Sequence, residues 1–274
     1  MKLTHTYRGI AMTIAGSDSG GGAGIEADLA TFLHLRVFGT AALTAVTAQN
    51  SLGVHGVFDI PTDIIRAQIH AVLTDFSVGA VKTGMLSRKE TISEVAENMK
   101  VHRVAKLVVD PVMVAQSGDP LMFGAAVDAL KGELLPLAFI VTPNIPEAEK
   151  LSGITIASVA EMQEAAEVIA DLGPKGVLIK GGHLEGAKVV DLFYYEGNFH
   201  IFEQKRIDTQ DHHGTGCTLS AAIAAELAAG TDVLEAVKRA RDYTRLAIEH
   251  RFKGGKGYGC VGHIFKIDWL EPDN

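Results

Sequence analysis

The chain has 274 residues, 47% of them hydrophobic and 21% charged, with 33 acidic against 25 basic side chains for a net charge of −8. That composition supports a large folded core and excludes a disordered or collagen-like chain. The acidic balance argues against a nucleic-acid or anionic-membrane surface, but an anionic substrate needs only local positive potential and stays open. Cys217 and Cys260 form no CxxC pair and read as free thiols of a reducing compartment. No N-terminal secretory pattern and no membrane-length apolar run is seen, so a cytoplasmic protein is expected.

In chain order, Gly9 to Gly16 reads as a short apolar strand closed by a glycine-rich loop, Ser17 to Gly24. A helix follows with Ile25, Leu29, Phe32 and Leu33 on one face, then a second buried strand, Thr40 to Asn50. Asp63 to Thr74 is a helix facing inward through Ile65, Ile69, Val72 and Leu73, and Val78 to Lys82 is a strand. Ser87 with Glu90 predicts a capping box. Lys106 to Asp110 is a strand stopped by Pro111, a helix lies within Phe123 to Leu135, and Leu137 to Asn144 is a strand. Ser158 with Glu161 opens a helix to about Leu172, and Gly176 to Gly182 is a strand.

The rhythm then changes. Val189 to Ile207 reads as an antiparallel hairpin turning at Glu196-Gly197-Asn198. Two helices follow, Thr218 to Ala229 stopped by Gly230, and Val233 to about Arg251 capped by Asp232. The pattern predicts one α/β domain over residues 1–274, with a largely parallel sheet, helices on both faces and an appended hairpin.

In such sheets ligands bind beyond the carboxyl ends of the strands, and the polar signals fall there. Ser17-Asp18, Gln49-Asn50, Thr83-Gly84-Met85, Asp110, Asn144 and Lys180-Gly181-Gly182-His183 each follow a predicted strand. The first glycine loop fits neither GxGxxG nor GxxxxGK[ST], so a dinucleotide fold and an ordinary P-loop are set aside. Gly214-Thr215-Gly216-Cys217 opens a helix, where amides and the helix dipole make an anion site. Its thiol either packs under the helix or faces a ligand. Asn144 and Glu147, with Asp110, could hold hydrated Mg²⁺, or else simply start a helix with Pro146. Lys180 ends an apolar strand in a glycine turn, a good place for a phosphate partner.

Together these segments resemble the hydroxymethylpyrimidine/phosphomethylpyrimidine kinases of thiamine biosynthesis, within the ribokinase-like fold. The resemblance runs from about Ile10 to Ile264. It is carried by AGSDSGGGAGIEADLATF (Ala15 to Phe32), TAVTAQNSLGV (Thr44 to Val54), KTGML (Lys82 to Leu86) and VVDPVM (Val108 to Met113). SGDPL (Ser117 to Leu121), TPNIPEAE (Thr142 to Glu149), KGGH (Lys180 to His183) and HGTGCTLSAA (His213 to Ala222) continue it. The resemblance implies two successive ATP-dependent phosphorylations, of 4-amino-5-hydroxymethyl-2-methylpyrimidine and then of its monophosphate. It implies that Cys217 stands where many ribokinase-like enzymes carry a catalytic aspartate, with Gly214, Thr215 and Gly216 completing the anion hole. Ala23, Asp28, Gln49, Met85 and Val112 would line the acceptor pocket. Asp110, Asn144 and Glu147 would serve MgATP, with Asp110 and Glu147 on the metal, and Lys180 would contact the phosphates. A homodimer is also implied.

The sequence departs from the family pattern in places. His212 precedes His213 where threonine is usual. Lys256 and Cys260 stand where histidine and proline are common in the closing glycine-rich segment. Two rivals stay open: a pyridoxal or pyridoxine kinase of the same fold, and a pyrimidine-binding protein without catalysis.

Overall fold

The computed structural model describes residues 7–114, 118, 121–122, 124–184 and 186–270. Ser117, Asp119 and Pro120 of the SGDPL motif, and Phe123 of the predicted helix, lie outside them. The chain divides into two compact units, one from the residues before Met85 with those after Asp208, the other from Met85–Asp208.

The first unit contains β1 (Ile10–Ala15), α1 (Gly24–His34), β2 (Phe38–Leu43), β3 (Ala45–Asn50), β4 (Gly53–Asp59), α2 (Thr62–Asp75) and β5 (Ala80–Thr83). Strand β1 pairs in parallel with β2 on one side and β5 on the other. The expected strand Thr40–Asn50 is broken at Thr44. Its second half, β3, leaves the sheet and pairs antiparallel with β4 as a separate ribbon. The polar cluster Gln49-Asn50 therefore sits at the tip of a ribbon, not at the end of a sheet strand. Alternate residues Ala45 and Thr47 are buried while Val46 and Ala48 are exposed, the period of a half-covered ribbon that a reading as one buried strand passed over.

Helix α1 also turns further than its apolar pattern suggests. Ile25, Asp28 and Phe32 face inward and Leu33 is 65% exposed. The buried position goes to Asp28 because a cation waits for it inside.

The second unit contains α3 (Lys89–Val101), β6 (Leu107–Val109), α4 (Ala125–Ala129), β7 (Ile140–Val141), α5 (Ile145–Ser152), α6 (Val159–Ala170), β8 (Gly176–Ile179), β9 (Lys188–Tyr195) and β10 (Asn198–Lys205). Strands β6, β7 and β8 are parallel, and β9 and β10 add antiparallel. Glu196 and Gly197 both adopt positive φ at the hairpin turn, as a two-residue turn requires. The N-cap of α3 is Arg88, one residue past the expected Ser87, and Arg88 makes no side-chain cap bond. Glu161 does reach back at the start of α6, but to the amide of Ala157 at 2.7 Å.

Two helices complete the first unit, α7 (Thr215–Ala228) and α8 (Val233–Glu249). Asp232 caps α8 as expected, accepting from the Leu234 amide at 3.0 Å. Helix α7 is buried from Thr218 through Leu227, and it packs on α1, α8, β1 and β5. Its last turn abuts the starts of two strands: a Cβ on Gly9 would meet the Ala228 carbonyl oxygen at 2.4 Å, and one on Gly79 at 2.9 Å. A helix of this length runs about 20 Å, close to the length of β1. The N-terminus of α7 is thereby delivered to the carboxyl ends of β1 and β5. Among the described residues no helix is long and apolar enough to cross a membrane.

The segment after α8 is held by a chain of aromatic and imidazole groups. His34 Nε2 donates to the Phe265 carbonyl at 2.8 Å, which leaves Nδ1 to accept from Tyr243 Oη at 3.2 Å. The same hydroxyl lies 3.0 Å from His263 Nδ1, which donates to it. Burial, aided by repulsion from His34, holds the His263 pKa down to about 4 against an ordinary 6.5. The unfolded chain therefore takes up the proton first as pH falls. Stability is complete above about pH 6.5 and should decline by about 3 kcal/mol as pH drops towards 4. Melting temperatures of the protein and of His263→Gln across this range check it: the wild-type slope should be steeper, and parallel curves would refute the assignment.

Candidate active site

The loop after β1 is organised by one side chain. Asp18, 2% exposed, accepts from the amide of Gly20 (2.8 Å) through Oδ1, and from Gly22 (3.1 Å) and Ala23 (2.9 Å) through Oδ2. The three amides curl around the carboxylate, and Gly24 completes the turn at φ +59, where a Cβ would lie 2.5 Å from the Gly16 carbonyl oxygen. Two serines sew this loop to the ribbon. Ser19 Oγ donates to the Gln49 carbonyl at 2.7 Å and accepts from the Gln49 amide at 2.8 Å. Thr47 Oγ1 donates to the Ser17 carbonyl at 2.8 Å. The backbone of Gln49 is thus fixed by the glycine loop, and its side chain, half-buried, is held near that loop.

Helix α7 begins earlier than its apolar pattern indicated, at Thr215, so Cys217 lies within the first turn. Its N-cap is Gly214, at φ +85 and pressed against the glycine loop: a Cβ there would sit 1.9 Å from the Gly22 carbonyl oxygen. The Thr215 amide bonds the His212 carbonyl (3.2 Å), and the Thr218 amide closes on Gly214 (2.9 Å). The first-turn amides of a helix point out of its N-terminal end, and the helix dipole adds positive potential there. An anion, or a phosphoryl group in flight, is the chemistry such a turn accommodates. The Cys217 thiol is half-buried.

Asp28 is held by side chains distant in the chain. Its carboxylate is fully buried, bonded by Lys82 Nζ at 2.9 and 3.0 Å and by Thr13 Oγ1 at 2.5 Å. It ties α1 to β1 and β5. Ala23 stands at the N-cap of α1, bonded through its amide to Asp18.

The second unit gathers a different group. Lys180 Nζ lies 3.2 Å from Asp110 Oδ1 and 4.0 Å from Glu147 Oε2, with both carboxylates nearly excluded from solvent. A parallel bridge between Asn144 and Lys180 sets the backbone register that brings them together. Asn144 and Glu147 form a reciprocal capping box at the start of α5: Asn144 Oδ1 accepts the Glu147 amide (2.9 Å) and Glu147 Oε2 accepts the Asn144 amide (2.8 Å). The helix-start reading of this motif is realised, and it occupies one oxygen of each side chain. Burial drives the Glu147 pKa up to about 7, Lys180 opposing it and Asp110 adding to it. The two buried carboxylates are hard oxygen donors, and the lysine beside them is a cation that suits phosphate. Among the described residues no group of three or more His, Cys, Asp or Glu could hold a metal alone, so these two fit an ion shared with phosphate oxygens and water. Val112 and Met85, both half-buried, follow β6 and β5 respectively.

These elements match a known protein family from end to end. The model of that family, phosphomethylpyrimidine kinase, matches residues 18–262. The chain belongs to the phosphomethylpyrimidine kinase family. Within it, the chain is 51% identical over 261 residues to the hydroxymethylpyrimidine/phosphomethylpyrimidine kinase of Rhizobium meliloti, covering 94% of this chain and 97% of that one. Among solved structures this phosphomethylpyrimidine kinase family member resembles Bacillus subtilis pyridoxal kinase, determined as an ADP complex, with a TM-score of 0.87, 41% identity and coverage of 93% and 97%. It also resembles phosphomethylpyrimidine kinase from Clostridium difficile, with a TM-score of 0.79, 46% identity and coverage of 87% and 99%. The likeness bears out the expected ribokinase-like α/β fold.

Three side chains named in the motifs were given no role from the sequence: Asp18, Lys82 and His213. Asp18 left a signal, an acid two residues before three consecutive glycines, since such a side chain can cap its own turn. Lys82 left none, because a lysine ending an apolar strand looks solvent-bound until Asp28 is found opposite. Replacing Lys82 with Met would strand a buried carboxylate and should destabilise the protein by about 3–5 kcal/mol, whereas Lys82→Met with Asp28→Leu should recover most of the loss. Denaturant melts of both variants measure this, and a stable Lys82→Met protein would refute the pair's role.

Proposed function

We propose that the protein transfers the γ-phosphoryl group of ATP to 4-amino-5-hydroxymethyl-2-methylpyrimidine and then to the monophosphate formed, yielding the diphosphate. The observation that carries this reading is the placement of Cys217 in the first turn of α7, on a glycine N-cap packed against the loop that also fixes Gln49. In the first step the acceptor hydroxyl oxygen attacks the γ-phosphorus and the bond to the bridging oxygen breaks, releasing ADP. The amides of Gly214, Gly216 and Cys217 stabilise charge on the equatorial oxygens of the transferring group. Cys217 orients the hydroxyl and takes up part of its proton. Gln49 reads the pyrimidine edge, since a primary amide both donates and accepts. Ala23, Met85 and Val112 complete the acceptor's surroundings.

Lys180 binds the phosphates, with Asn144 and Asp110 on the nucleotide side. Asp110 and Glu147 would hold Mg²⁺, which neutralises phosphate charge when bound. A Glu147 carboxyl near neutrality without a cation suits this role, because a bound dication favours the ionised form. Both units serve one kinase domain in this reading, supported by a family match that runs across them without interruption. ATP as donor and two free thiols support a cytoplasmic site of action. The chain is proposed to act as a homodimer, for which the exposed Val46, Val57 and Phe58 of the β3–β4 ribbon offer apolar surface.

Mass analysis of products with MgATP and the hydroxymethylpyrimidine, and with pyridoxal in parallel, tests the reading. Pyrimidine diphosphate is expected. Pyridoxal phosphate alone would transfer the function to the pyridoxal kinase reading, which the likeness to the Bacillus subtilis enzyme keeps in view. Tight pyrimidine binding with no ADP release would indicate a binding protein. Cys217→Ser should lower kcat about 100-fold with little change in acceptor KM, as loss of a positioned proton acceptor does; unchanged kcat would remove the thiol from the chemistry. Gln49→Ala should raise acceptor KM by about tenfold or more and leave the KM for ATP alone; equal rises in both would contradict its assignment.

A further inference from the structure

His213 is the residue immediately before the N-cap of α7, and its ring lies over the glycine loop. Nε2 sits 2.9 Å from Asp18 Oδ2, joining positions 195 apart in the chain. With the amides of Gly20, Gly22 and Ala23, this gives one carboxylate four donors. Only an ionised carboxylate accepts so many, because the asparagine amide would present two hydrogens of its own to them. The hydrogen bond from His213 and those from the loop amides outweigh burial and hold the Asp18 pKa below its ordinary value.

The ring has little room elsewhere. A Cβ on Gly22 would meet His213 Cδ2 at 2.6 Å, and the His213 backbone is clamped on both sides, its amide to the Gly259 carbonyl (3.2 Å) and its carbonyl to the Val261 amide (3.1 Å). The next residue, Gly214, presses on the same Gly22. A shift of the glycine loop is therefore passed through His213 and Gly214 to the first turn of α7.

The chemistry of the bond also bears on Gln49. An ionised carboxylate can only accept, so His213 Nε2 must carry the hydrogen. Gln49 Nε2 lies 3.4 Å from that nitrogen and cannot donate to it, and Thr47 Oγ1, 3.4 Å from Gln49 Oε1, already gives its one hydrogen to the Ser17 carbonyl. The Gln49 amide can therefore turn its hydrogens to a ligand that offers an acceptor, such as a pyrimidine ring nitrogen.

We propose that Asp18 and His213 form a positioning pair for phosphoryl transfer, holding the acceptor-reading side chain Gln49 and the anion-binding first turn of α7 in one geometry. The inference rests on the kinase reading above. Neither residue need touch the reacting atoms; each acts through the loop and helix it joins.

The test uses the full-length protein and four variants, Asp18→Asn, His213→Gln, His213→Phe and the double variant Asp18→Asn with His213→Phe. Each is assayed for pyrimidine phosphorylation with MgATP. Asp18→Asn and His213→Phe should each lower kcat by about tenfold to a hundredfold and raise acceptor KM, as small misplacements of reacting groups do, with the KM for MgATP unchanged. His213→Gln keeps a donor towards Asp18 and should retain most activity. The double variant should be no worse than the worse single one. Nitrogen NMR of the wild-type ring should show the Nε2–H tautomer, a signature that folding alone does not require. Wild-type kinetics in Asp18→Asn, an Nδ1–H tautomer in the native protein, or equal damage from His213→Gln and His213→Phe would each overturn the proposal. A native protein that phosphorylates no pyrimidine yet shows the Nε2–H tautomer would instead overturn the kinase reading and leave the Asp18–His213 contact standing without a catalytic task.

Discussion

The seat of helix α7 constrains everything chemical in the first unit. Its closing carbonyls at Ala228 lie so near the starts of β1 and β5 that only glycine fits at Gly9 and Gly79. With that end fixed and the helix buried along most of its length, its other end has one place to go, the carboxyl ends of the same strands. The positive end of the dipole, the glycine N-cap and the thiol of Cys217 are delivered there by packing, before any ligand is considered. The N-cap then closes on the glycine loop because Gly214 and Gly22 touch without side chains between them.

Buried carboxylates are resolved in four different ways. Asp28 meets Lys82 and Thr13 and becomes a structural tie. Glu226 receives a two-point bond from Arg8 at 2.8 Å, with Thr231 and Arg239 adding to it, and is held ionised despite its burial. Asp18 is satisfied by amides and an imidazole. Glu147 faces Lys180, which it shares with Asp110, and burial pushes its pKa up, whereas those of Asp18 and Glu226 are held down. A carboxyl that is buried and short of positive charge is costly to keep ionised. That cost is offset at the other three by partners the fold supplies, and it is what gives Glu147 its place in the proposed metal site.

Much of the site was legible because it lies in short contiguous motifs. The strand-loop-helix alternation placed Asp110, Asn144 and Lys180 near strand ends, and the GTGC segment announced a helix terminus. What went unread lies in pairs distant in the chain. The partner of Asp28 could not be read from its own helix, because Lys82 lies 54 positions on. The strand from Thr40 to Asn50 looked continuous because nothing local marks Thr44, whose amide and carbonyl go to Ala15 and Ile60 and so part the sheet from the ribbon.

The sequence by itself determined the alternating α/β order, the hairpin at Glu196-Gly197, the anion-binding character of the turn before Cys217 and the family to which these motifs point. Hydrophobic period, turn chemistry and helix termini are properties of neighbouring residues, and they act before the chain is folded. The tertiary structure alone decided which acid meets which base. It set Asp28 against Lys82, Lys180 against Asp110, and His213 against Asp18. A charge or hydrogen bond is satisfied by whatever packing brings within about 3 Å, and that partner is chosen by the fold and not by the local sequence.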